Sequence, residues 1–318
     1  MNKVLETTKF VVDNSQSVKI DMDRVANFAE TFEHGSVHHW LKEAPFNFSH
    51  FSDEEKLHFL FIFNALSFCY WGEPKWTVDF EGKSHDGAWG MIIALGRAIQ
   101  EGYNILDFNY CTNLSAEDFK NILRANTTIP LFNDRLKIIN GIGSTVVKKY
   151  DGKIANLIKV VKNNPQELLD LIITDFPEFK DESIYNDKTI FFNKRAQLLI
   201  SDIYQIFNGH GFGDFKNIEL ITACADYKLP QILRKLGIIN YSESLTNKID
   251  QKQEIEHNSN EEIEIRANTI WAVEYIRQIV AKKNPKIMSS EINDHLWLAT
   301  QEKFPDDRPY HRTRTTAY

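Results

Sequence analysis

The chain has 318 residues, and its 42% hydrophobic and 25% charged residues are typical of a folded protein with a sizeable core, not of a disordered chain. A formal net charge of −7 disfavours non-specific binding to DNA or RNA, which depends on clustered lysines and arginines, but allows a local basic pocket for a small anion. Three widely spaced cysteines, Cys69, Cys111 and Cys224, form no disulfide framework and no Cys-x-x-Cys pair, which is typical of a reducing cytosol.

The amino-terminal residues 1–6 lack the basic-then-apolar order of a signal peptide. The most apolar stretch, residues 57–71, is too short to span a bilayer and contains His58, Asn64 and Ser67, so it predicts a buried helix. We therefore expect a cytoplasmic protein that has no membrane-spanning segment.

Helix signals predominate along the chain. Serine or asparagine caps precede apolar residues in four places, and a fifth apolar stripe at residues 196–207 is followed by Gly209, a typical helix end. The four capped starts are the Ser-x-x-Glu box at residues 52–55, the similar residues 115–118, Asn164-Pro165 before residues 168–176, and the box at residues 259–262.

Strand signals are few. Residues 76–80 alternate in polarity and residues 81–83 have a turn sequence, which predicts a short β-hairpin near residues 76–84. The polar stretch 246–260 is the best candidate for a mobile loop. Because there is no solenoid repeat and no linker-like change of composition, we expect a mainly α, compact helical unit. Residues 1–318 are predicted to form a single domain, with a division into two lobes as an open alternative.

Two potential sites are disfavoured by their context. Residues 208–213 are rich in glycine, but they follow a helix instead of a strand and lack the Lys-Ser/Thr of a phosphate loop. His34 and His38 have the spacing of zinc ligands on a helix, with His39 adjacent, but no glutamate lies between them and no third ligand is in register. We expect no metal and no other cofactor.

The first candidate cluster is Lys194-Arg195-Ala-Gln197, near the start of an amphipathic helix. Arg195 and Asp202 are seven residues apart and share a helix face, so a solvated face with an intrahelical charge pair is the favoured interpretation of the spacing. The functional alternative is that Lys194 or Arg195 binds a phosphate.

The second candidate is Asp226, which lies in a tight segment between the apolar residues 220–224 and a new helix with Pro230 in its first turn. A helix cap and a functional carboxylate explain this position equally well. The neighbours Cys224 and Leu229 are apolar, and a dry wall of this kind strengthens the action of a fixed charge.

The third cluster is Glu262-Ile-Glu264-Ile-Arg266. Glu262 and Arg266 are four residues apart, as in an ion pair on a helix surface, whereas Glu264 faces another direction and is left unpaired by that spacing. Residues 308–314 are locally basic, and Tyr310 within them favours a carboxyl-terminal segment that docks on the protein.

Five short motifs together resemble the queuosine salvage family, the queuosine 5′-phosphate N-glycosidases. They are Asn-Ala-Leu-Ser-Phe-Cys-Tyr-Trp at 64–71, Lys-Arg-Ala-Gln at 194–197, Ala-Asp-Tyr-Lys-Leu-Pro-Gln at 225–231, Glu-Ile-Glu-Ile-Arg at 262–266, and Pro-Tyr-His-Arg-Thr-Arg at 309–314. Each motif is short, but the five occur in the family's order, which makes the resemblance specific from about residue 64 onwards.

The resemblance implies an all-helical core similar to that of helix-hairpin-helix DNA glycosylases. It also implies the release of queuine from queuosine 5′-monophosphate, which leaves ribose 5-phosphate. The family's catalytic aspartate lies in the Ala-Asp-Tyr motif, which is Asp226 here, with Tyr227 beside it in the substrate pocket. An amino-terminal histidine lines the family's base pocket, and His39 is our choice over its close rival His38.

Two positions depart from the family pattern. The residue two places before the catalytic aspartate is usually aromatic or apolar, and it is Cys224 here. An aspartate usually follows the Leu-Trp pair near the carboxyl terminus, but Leu298 follows Trp297 in this chain. Asp294 is the candidate to supply the missing carboxylate.

The chemistry of the implied reaction assigns roles to the charged residues. Glycosidic cleavage gives the ribose an oxocarbenium-like charge, which a carboxylate below the sugar stabilises or captures covalently. The secondary ammonium and diol of queuine match a carboxylate, for which the candidates are Glu264, Asp202 and Asp294. The 5′-phosphate requires a cation, for which the candidates are Lys194, Arg195 and Arg266.

We expect a monomer whose partners are the small molecules queuosine 5′-monophosphate and queuine, without direct binding to nucleic acid. Two alternatives stay open. A glycosidase for another modified nucleoside or a damaged base would be favoured by tight, salt-sensitive binding to duplex DNA. A non-catalytic queuine-binding protein would be favoured by tight binding of queuine without cleavage of the nucleotide.

Overall fold

The computed structural model of the protein describes residues 2–33 and 39–318, and it is mainly helical, as the sequence predicts. In these residues there are fourteen α-helices: α1 Lys3–Asn14, α2 Met22–Thr31, α3 Asp53–Leu66, α4 Gly87–Gln100, α5 Phe108–Thr112, α6 Ala116–Ile122, α7 Phe132–Tyr150, α8 Ile154–Val160, α9 Pro165–Asp175, α10 Lys194–Ile206, α11 Lys228–Lys235, α12 Glu243–Asp250, α13 Asn260–Val280 and α14 Ser289–Ala299. None of the helices in this part of the chain has the length and apolar character needed to traverse a membrane.

Six short strands form three antiparallel pairs within the described ranges. Their bounds are β1 Val18–Ile20, β2 Thr77–Phe80, β3 Lys83–Asp86, β4 Glu182–Tyr185, β5 Lys188–Phe191 and β6 Ile239–Tyr241. Strands β2 and β3 pair from Thr77 with Asp86 to Phe80 with Lys83, which confirms the predicted hairpin near residues 76–84. The β4–β5 hairpin and the β1–β6 pair are additional, and strands of three or four residues leave little alternation in a sequence.

The predicted helix starts are confirmed by their caps. The Ser52 hydroxyl accepts a hydrogen bond from the Glu55 amide, and the Glu55 carboxylate accepts one from the Ser52 amide, which completes the box at the start of α3. Asn164 caps α9 with Pro165 as the first helical residue, and Ser259 caps α13.

The prediction of a mobile loop over residues 246–260 is wrong for the first part of that segment, because α12 continues to Asp250. The Ser242 hydroxyl accepts a hydrogen bond from the Leu245 amide at the start of the helix. Leu245 and Ile249 are four residues apart and fully buried. Such a narrow apolar stripe is enough to dock a short helix, although the sequence around it is polar.

Helix α13 belongs to two of the three clusters of buried hydrophobic side chains. One cluster of buried hydrophobic side chains surrounds α3, α4 and α7, a second involves α2, α11, α13 and α14, and a third joins α1 and the β4–β5 hairpin to α13. Fifteen of the 21 residues of α13 are buried, and several of them are charged. A helix enclosed on most sides must therefore find partners for its polar groups within the protein.

Arg266 of α13 finds its partners on two distant segments. Its guanidinium donates two hydrogen bonds to the Asp181 carboxylate, at 2.8 and 2.6 Å, and its Nε donates to the carbonyl of Ala225 at 3.3 Å. Asp181 also accepts a hydrogen bond from the amide of Lys194, the first residue of α10. Glu262 lies 3.6 Å from Arg266, so the predicted pair forms, but it is buried instead of lying on a helix surface.

Replacement of Asp181 by alanine is expected to lower the free energy of unfolding by about 3–5 kcal/mol, because the buried Arg266 loses its bidentate counter-ion. The control is Asp13→Ala, which breaks the exposed Lys9–Asp13 pair and should cost no more than about 1 kcal/mol. Urea unfolding measures both variants. Equal losses in the two proteins would contradict the central role of the Arg266–Asp181 pair.

Candidate active site

A deep cleft lies where α10, the segment before α11, helix α14 and the carboxyl-terminal segment meet. Its empty volume is about 890 Å³, and this figure includes space that is open to solvent. Aromatic side chains form much of the wall: Trp40, Phe63, Tyr70, Trp71, Tyr227, Trp297, Tyr310 and Tyr318. The charged residues of the lining are Lys75, Asp86, Lys194, Asp226, Lys228 and Asp294.

Six of the eleven site residues predicted from the sequence line this cleft: Lys194, Cys224, Asp226, Tyr227, Asp294 and Trp297. They come from α10, from the segment that leads into α11, and from α14, so only the tertiary fold brings them together. His39 and Asp202 are next to the cleft. The Trp40 indole donates a hydrogen bond to Asp202, and His39 lies beside both residues. Arg195, Glu264 and Arg266 do not line it.

Asp226 combines the two interpretations that its sequence position allows. Its Oδ1 accepts hydrogen bonds from the amides of Lys228 at 2.7 Å and Leu229 at 3.0 Å, so the side chain caps the start of α11. The side chain is half-buried and lines the cleft, and no hydrogen bond within the described residues reaches its Oδ2. One oxygen is therefore fixed by the backbone while the other stays available to a ligand.

The residues next to Asp226 are buried, and a hydrogen bond to α14 fixes their position. Cys224 and Ala225 are buried, and the Cys224 amide donates a hydrogen bond to Asn293 Oδ1 at 2.9 Å. Burial raises the pKa of the Cys224 thiol, so this side chain is a neutral part of the wall. Tyr227 is also buried, with its ring centroid 4.7 Å from that of Tyr310, and burial raises the pKa of its hydroxyl far above the usual range.

Two carboxylates lie close to Trp40 at the inner end of the cleft: Asp294 lines the cleft, and Asp202 lies behind it. Asp202 Oδ1 accepts a hydrogen bond from the Trp40 indole at 2.8 Å, and His39 Nε2 lies 3.5 Å from the same oxygen. Asp202 Oδ2 accepts one from Asn64 at 2.9 Å. The Asp294 carboxylate accepts a long hydrogen bond from the Trp40 amide at 3.4 Å.

Asp294 is the most strongly perturbed acid of this cluster. Its pKa is raised to about 6, mainly by burial; His39 opposes this rise, and nearby Asp202 adds to it. A carboxyl group that carries this penalty gains much from a cationic partner, because a ligand cation removes the cost of the buried negative charge.

Three indole rings meet beside this cluster. The ring centroids of Trp40, Trp89 and Trp297 lie 5.1 to 5.3 Å from one another. Trp40 and Trp297 line the cleft and offer an aromatic wall to a planar heterocycle. Leu298, which follows Trp297, does not line the cleft, whereas Asp294, one helical turn earlier, does.

Three of the five predicted site residues outside the lining are held by structural partners. The Arg195 guanidinium donates hydrogen bonds to the carbonyls of Ala65 and Glu178. Glu264 accepts hydrogen bonds from the amides of Gln16 and Ser17 and from the Tyr185 hydroxyl, at 3.0, 2.6 and 2.9 Å. Arg266 is engaged with Asp181 and Ala225, as described above.

The sequence does not predict several of the residues that line the cleft. Lys228 belongs to the same motif as Asp226, and Trp40 follows His39, so both could have been nominated from their neighbours. Lys75 and Asp86 carry no local signal, because only the pairing of β2 with β3 brings them together, where the Lys75 ammonium donates to the Asp86 carboxylate.

No group of three or more potential metal ligands occurs among residues 2–33 and 39–318. His34 and His38, the pair with zinc-like spacing, lie outside the residues that the structure describes. The choice of His39 over His38 as a pocket residue therefore stays a prediction.

The chain is similar to known proteins along nearly its whole length. The family model described as queuosine salvage protein matches residues 48–318. The chain belongs to the queuosine salvage protein family. A relative from Sphaerobacter thermophilus, named queuosine 5′-phosphate N-glycosylase/hydrolase, is 35% identical over 99% of this chain and 97% of its own length. Relatives of the same name from Mus musculus and Bos taurus are 33% and 32% identical, each over 98% of both chains.

The match to the queuosine salvage family covers the cleft almost completely. Every residue of the lining except Trp40 falls within residues 48–318. Trp40 and His39 precede the matched region, and the first of these relatives aligns with nearly the whole chain, including that part.

The perturbed Asp294 predicts a pH dependence of stability. Its pKa is about 6 in the folded protein against 3.8 for an ordinary aspartate, so the protonated form stabilises the fold below about pH 4 and this contribution is lost as the pH rises through 6. Relative to Asp294→Asn, we expect the free energy of unfolding of the wild type to fall by up to about 3 kcal/mol between about pH 4 and pH 7. Urea unfolding of both proteins across this range is the measurement, and parallel profiles would contradict the assignment.

Proposed function

We propose that this protein hydrolyses the N-glycosidic bond of queuosine 5′-monophosphate, releasing queuine for salvage into tRNA together with ribose 5-phosphate. Its relatives across nearly the whole chain carry the name queuosine 5′-phosphate N-glycosylase/hydrolase. The observation that carries the proposal in this chain is Asp226, a carboxylate with one oxygen fixed by two amides and the other available to the cleft.

The proposed reaction breaks the bond between C1′ of the ribose and the base nitrogen. The bonding electron pair leaves with the base, which gains a proton, and the oxygen of water forms the new bond to C1′. The positive charge that develops on the ribose is stabilised by Asp226. Because two amides already orient this carboxylate, it needs little reorganisation when the charge appears, and that is the condition under which electrostatic stabilisation is strongest.

The nature of the leaving group increases the demand on Asp226. Queuine is a 7-deazapurine with carbon in place of N7, so an acid cannot assist its departure by protonating that position. Stabilisation from the sugar side must therefore supply more of the rate enhancement. The dry wall of Cys224, Ala225 and Tyr227 supports this role, because a charge is screened less there than in water.

We assign the base and its side chain to the inner end of the cleft. Trp40 and Trp297 offer aromatic surface to the heterocycle, and the Asp294 carboxylate is a partner for the secondary ammonium of queuine. Asp202 accepts a hydrogen bond from the Trp40 indole and so orients this ring, and His39 lies beside Asp202.

We further propose that residues 1–318 act as one catalytic domain, as a cytoplasmic monomer, on the free nucleotide and not on tRNA. The net charge of −7 supports a small-molecule substrate over a nucleic acid. The proposed hydrolysis requires water and the side chains of the cleft, and no step of it calls for a metal or an organic cofactor.

Incubation of the purified protein with queuosine 5′-monophosphate tests the activity directly. Free queuine is followed by mass spectrometry, and ribose 5-phosphate should appear in equal amount. Absence of both products with the wild-type protein would refute the proposed function.

Asp226→Asn separates the catalytic role of this residue from its structural one. The asparagine Oδ1 can still accept the hydrogen bonds of Lys228 and Leu229, so the stability should change by less than about 0.5 kcal/mol, whereas kcat should fall roughly 10²-fold or more because the negative charge is lost.

Asp226→Ala is the matched comparison. It removes both the cap and the charge, so it should show a similar loss of kcat together with about 1 kcal/mol of destabilisation. Thermal unfolding and steady-state kinetics on both variants give the two readouts. Wild-type turnover by Asp226→Asn would remove Asp226 from the mechanism.

A further inference from the structure

The mouth of the cleft is surrounded by cations. Lys75, Lys228 and Tyr310 line both the cleft and an adjoining surface pocket, so they mark the boundary between the two. The other charged residues of the adjoining pocket are Lys235, Lys303, Arg308, Glu302 and Asp307, so its five cations outnumber its two acids. This is a local basic region on a protein whose net charge is −7.

Most of these cations already have a carboxylate partner. Lys235 pairs with Asp307 at 2.5 Å, and Arg308 pairs with Asp250 at 2.8 Å. Lys75 and Lys303 both pair with Asp86, so two ammonium groups share one carboxylate. The Asp86 carboxylate therefore neutralises only one of these two lysines.

Lys228 differs from its neighbours because no carboxylate of the described chain lies within ion-pair distance of its ammonium. Its Nζ donates to the neutral Gln231 Oε1 at 3.2 Å and lies 5.2 Å from the centre of the Tyr310 ring. Burial lowers the pKa of Lys228, nearby Lys75 lowers it further, and Asp226 and Asp86 oppose this. An anion placed between the two lysines would relieve both effects.

The other cations considered for a phosphate are less suitable. Arg195 and Arg266 do not line the cleft, and their guanidinium groups are occupied by carbonyls and by Asp181. Lys194 lines the cleft but is only 6% exposed, and its neighbour in the wall is Cys224. It is therefore an enclosed cation, whereas Lys228 and Lys75 reach the mouth.

We propose that Lys228, together with Lys75, binds the 5′-phosphate of the substrate at the mouth of the cleft. This inference rests on the proposed function, which places C1′ at Asp226 and the base at the inner end. Lys228 follows Asp226 by two residues, so one short segment presents the carboxylate to one end of the ribose and the ammonium to the other. The phosphate is then the group that enters last and distinguishes nucleotide from nucleoside.

The test compares queuosine 5′-monophosphate with unphosphorylated queuosine as substrates of Lys228→Gln. We expect kcat/KM for the nucleotide to fall about 10- to 100-fold, as expected for the loss of a charge-assisted hydrogen bond, with little change for the nucleoside. Lys228→Arg should retain most of the preference for the nucleotide. Lys235→Gln is the matched control, because it removes the same charge from the same helix, seven residues further on, outside the cleft lining.

Binding of ribose 5-phosphate, measured by calorimetry, gives a readout that does not depend on turnover. Lys228→Gln should weaken it by a similar factor, and Lys235→Gln should leave it unchanged. If the wild type cleaves the nucleotide but Lys228→Gln keeps the full preference for it, this inference is wrong while the proposed function stands. Loss of the preference in Lys194→Gln, with Lys228→Gln unaffected, would transfer the phosphate to Lys194.

Discussion

The buried ion pair between Arg266 and Asp181 holds together two of the segments that carry polar groups of the cleft. Asp181 accepts the amide of Lys194 at the start of α10, and Arg266 donates to the carbonyl of Ala225, directly before Asp226. The two residues thereby fix one helix start and one turn relative to helix α13. A displacement of this pair would move both sides of the site at once, although neither residue lines the cleft.

Asp226 shows how one side chain serves the fold and the proposed chemistry together. A carboxylate that caps a helix is oriented by amides, and an oriented carboxylate is also what a developing positive charge requires. The helix start therefore supplies the preorganisation of the site. The Oδ2 atom of Asp226 remains available because only Oδ1 accepts the hydrogen bonds of the helix cap.

Local features of the fold and the site could be predicted from the sequence, and long-range ones could not. Caps such as Ser52 and Asn164 act within one helical turn, so their signal lies in adjacent residues. Arg195 donates to the carbonyl of Ala65, 130 residues away, and Glu264 accepts from the amide of Gln16, 248 residues away, so no spacing rule reveals these partners. Sequence motifs predict Asp226 and Lys194 as site residues, whereas the proximity of Lys75 and Asp86 depends on the pairing of two strands.

The concentration of tryptophan around the cleft has an optical consequence. Of the six tryptophans in the chain, Trp40, Trp71 and Trp297 line the cleft, and Trp89 packs against two of them. Four of the six indoles therefore lie in or against the walls of one site. A heterocycle that stacks there, beside the carboxyl groups of Asp202 and Asp294, would change the environment of several tryptophans together. Ligand binding can therefore be followed by the intrinsic fluorescence of the unlabelled protein.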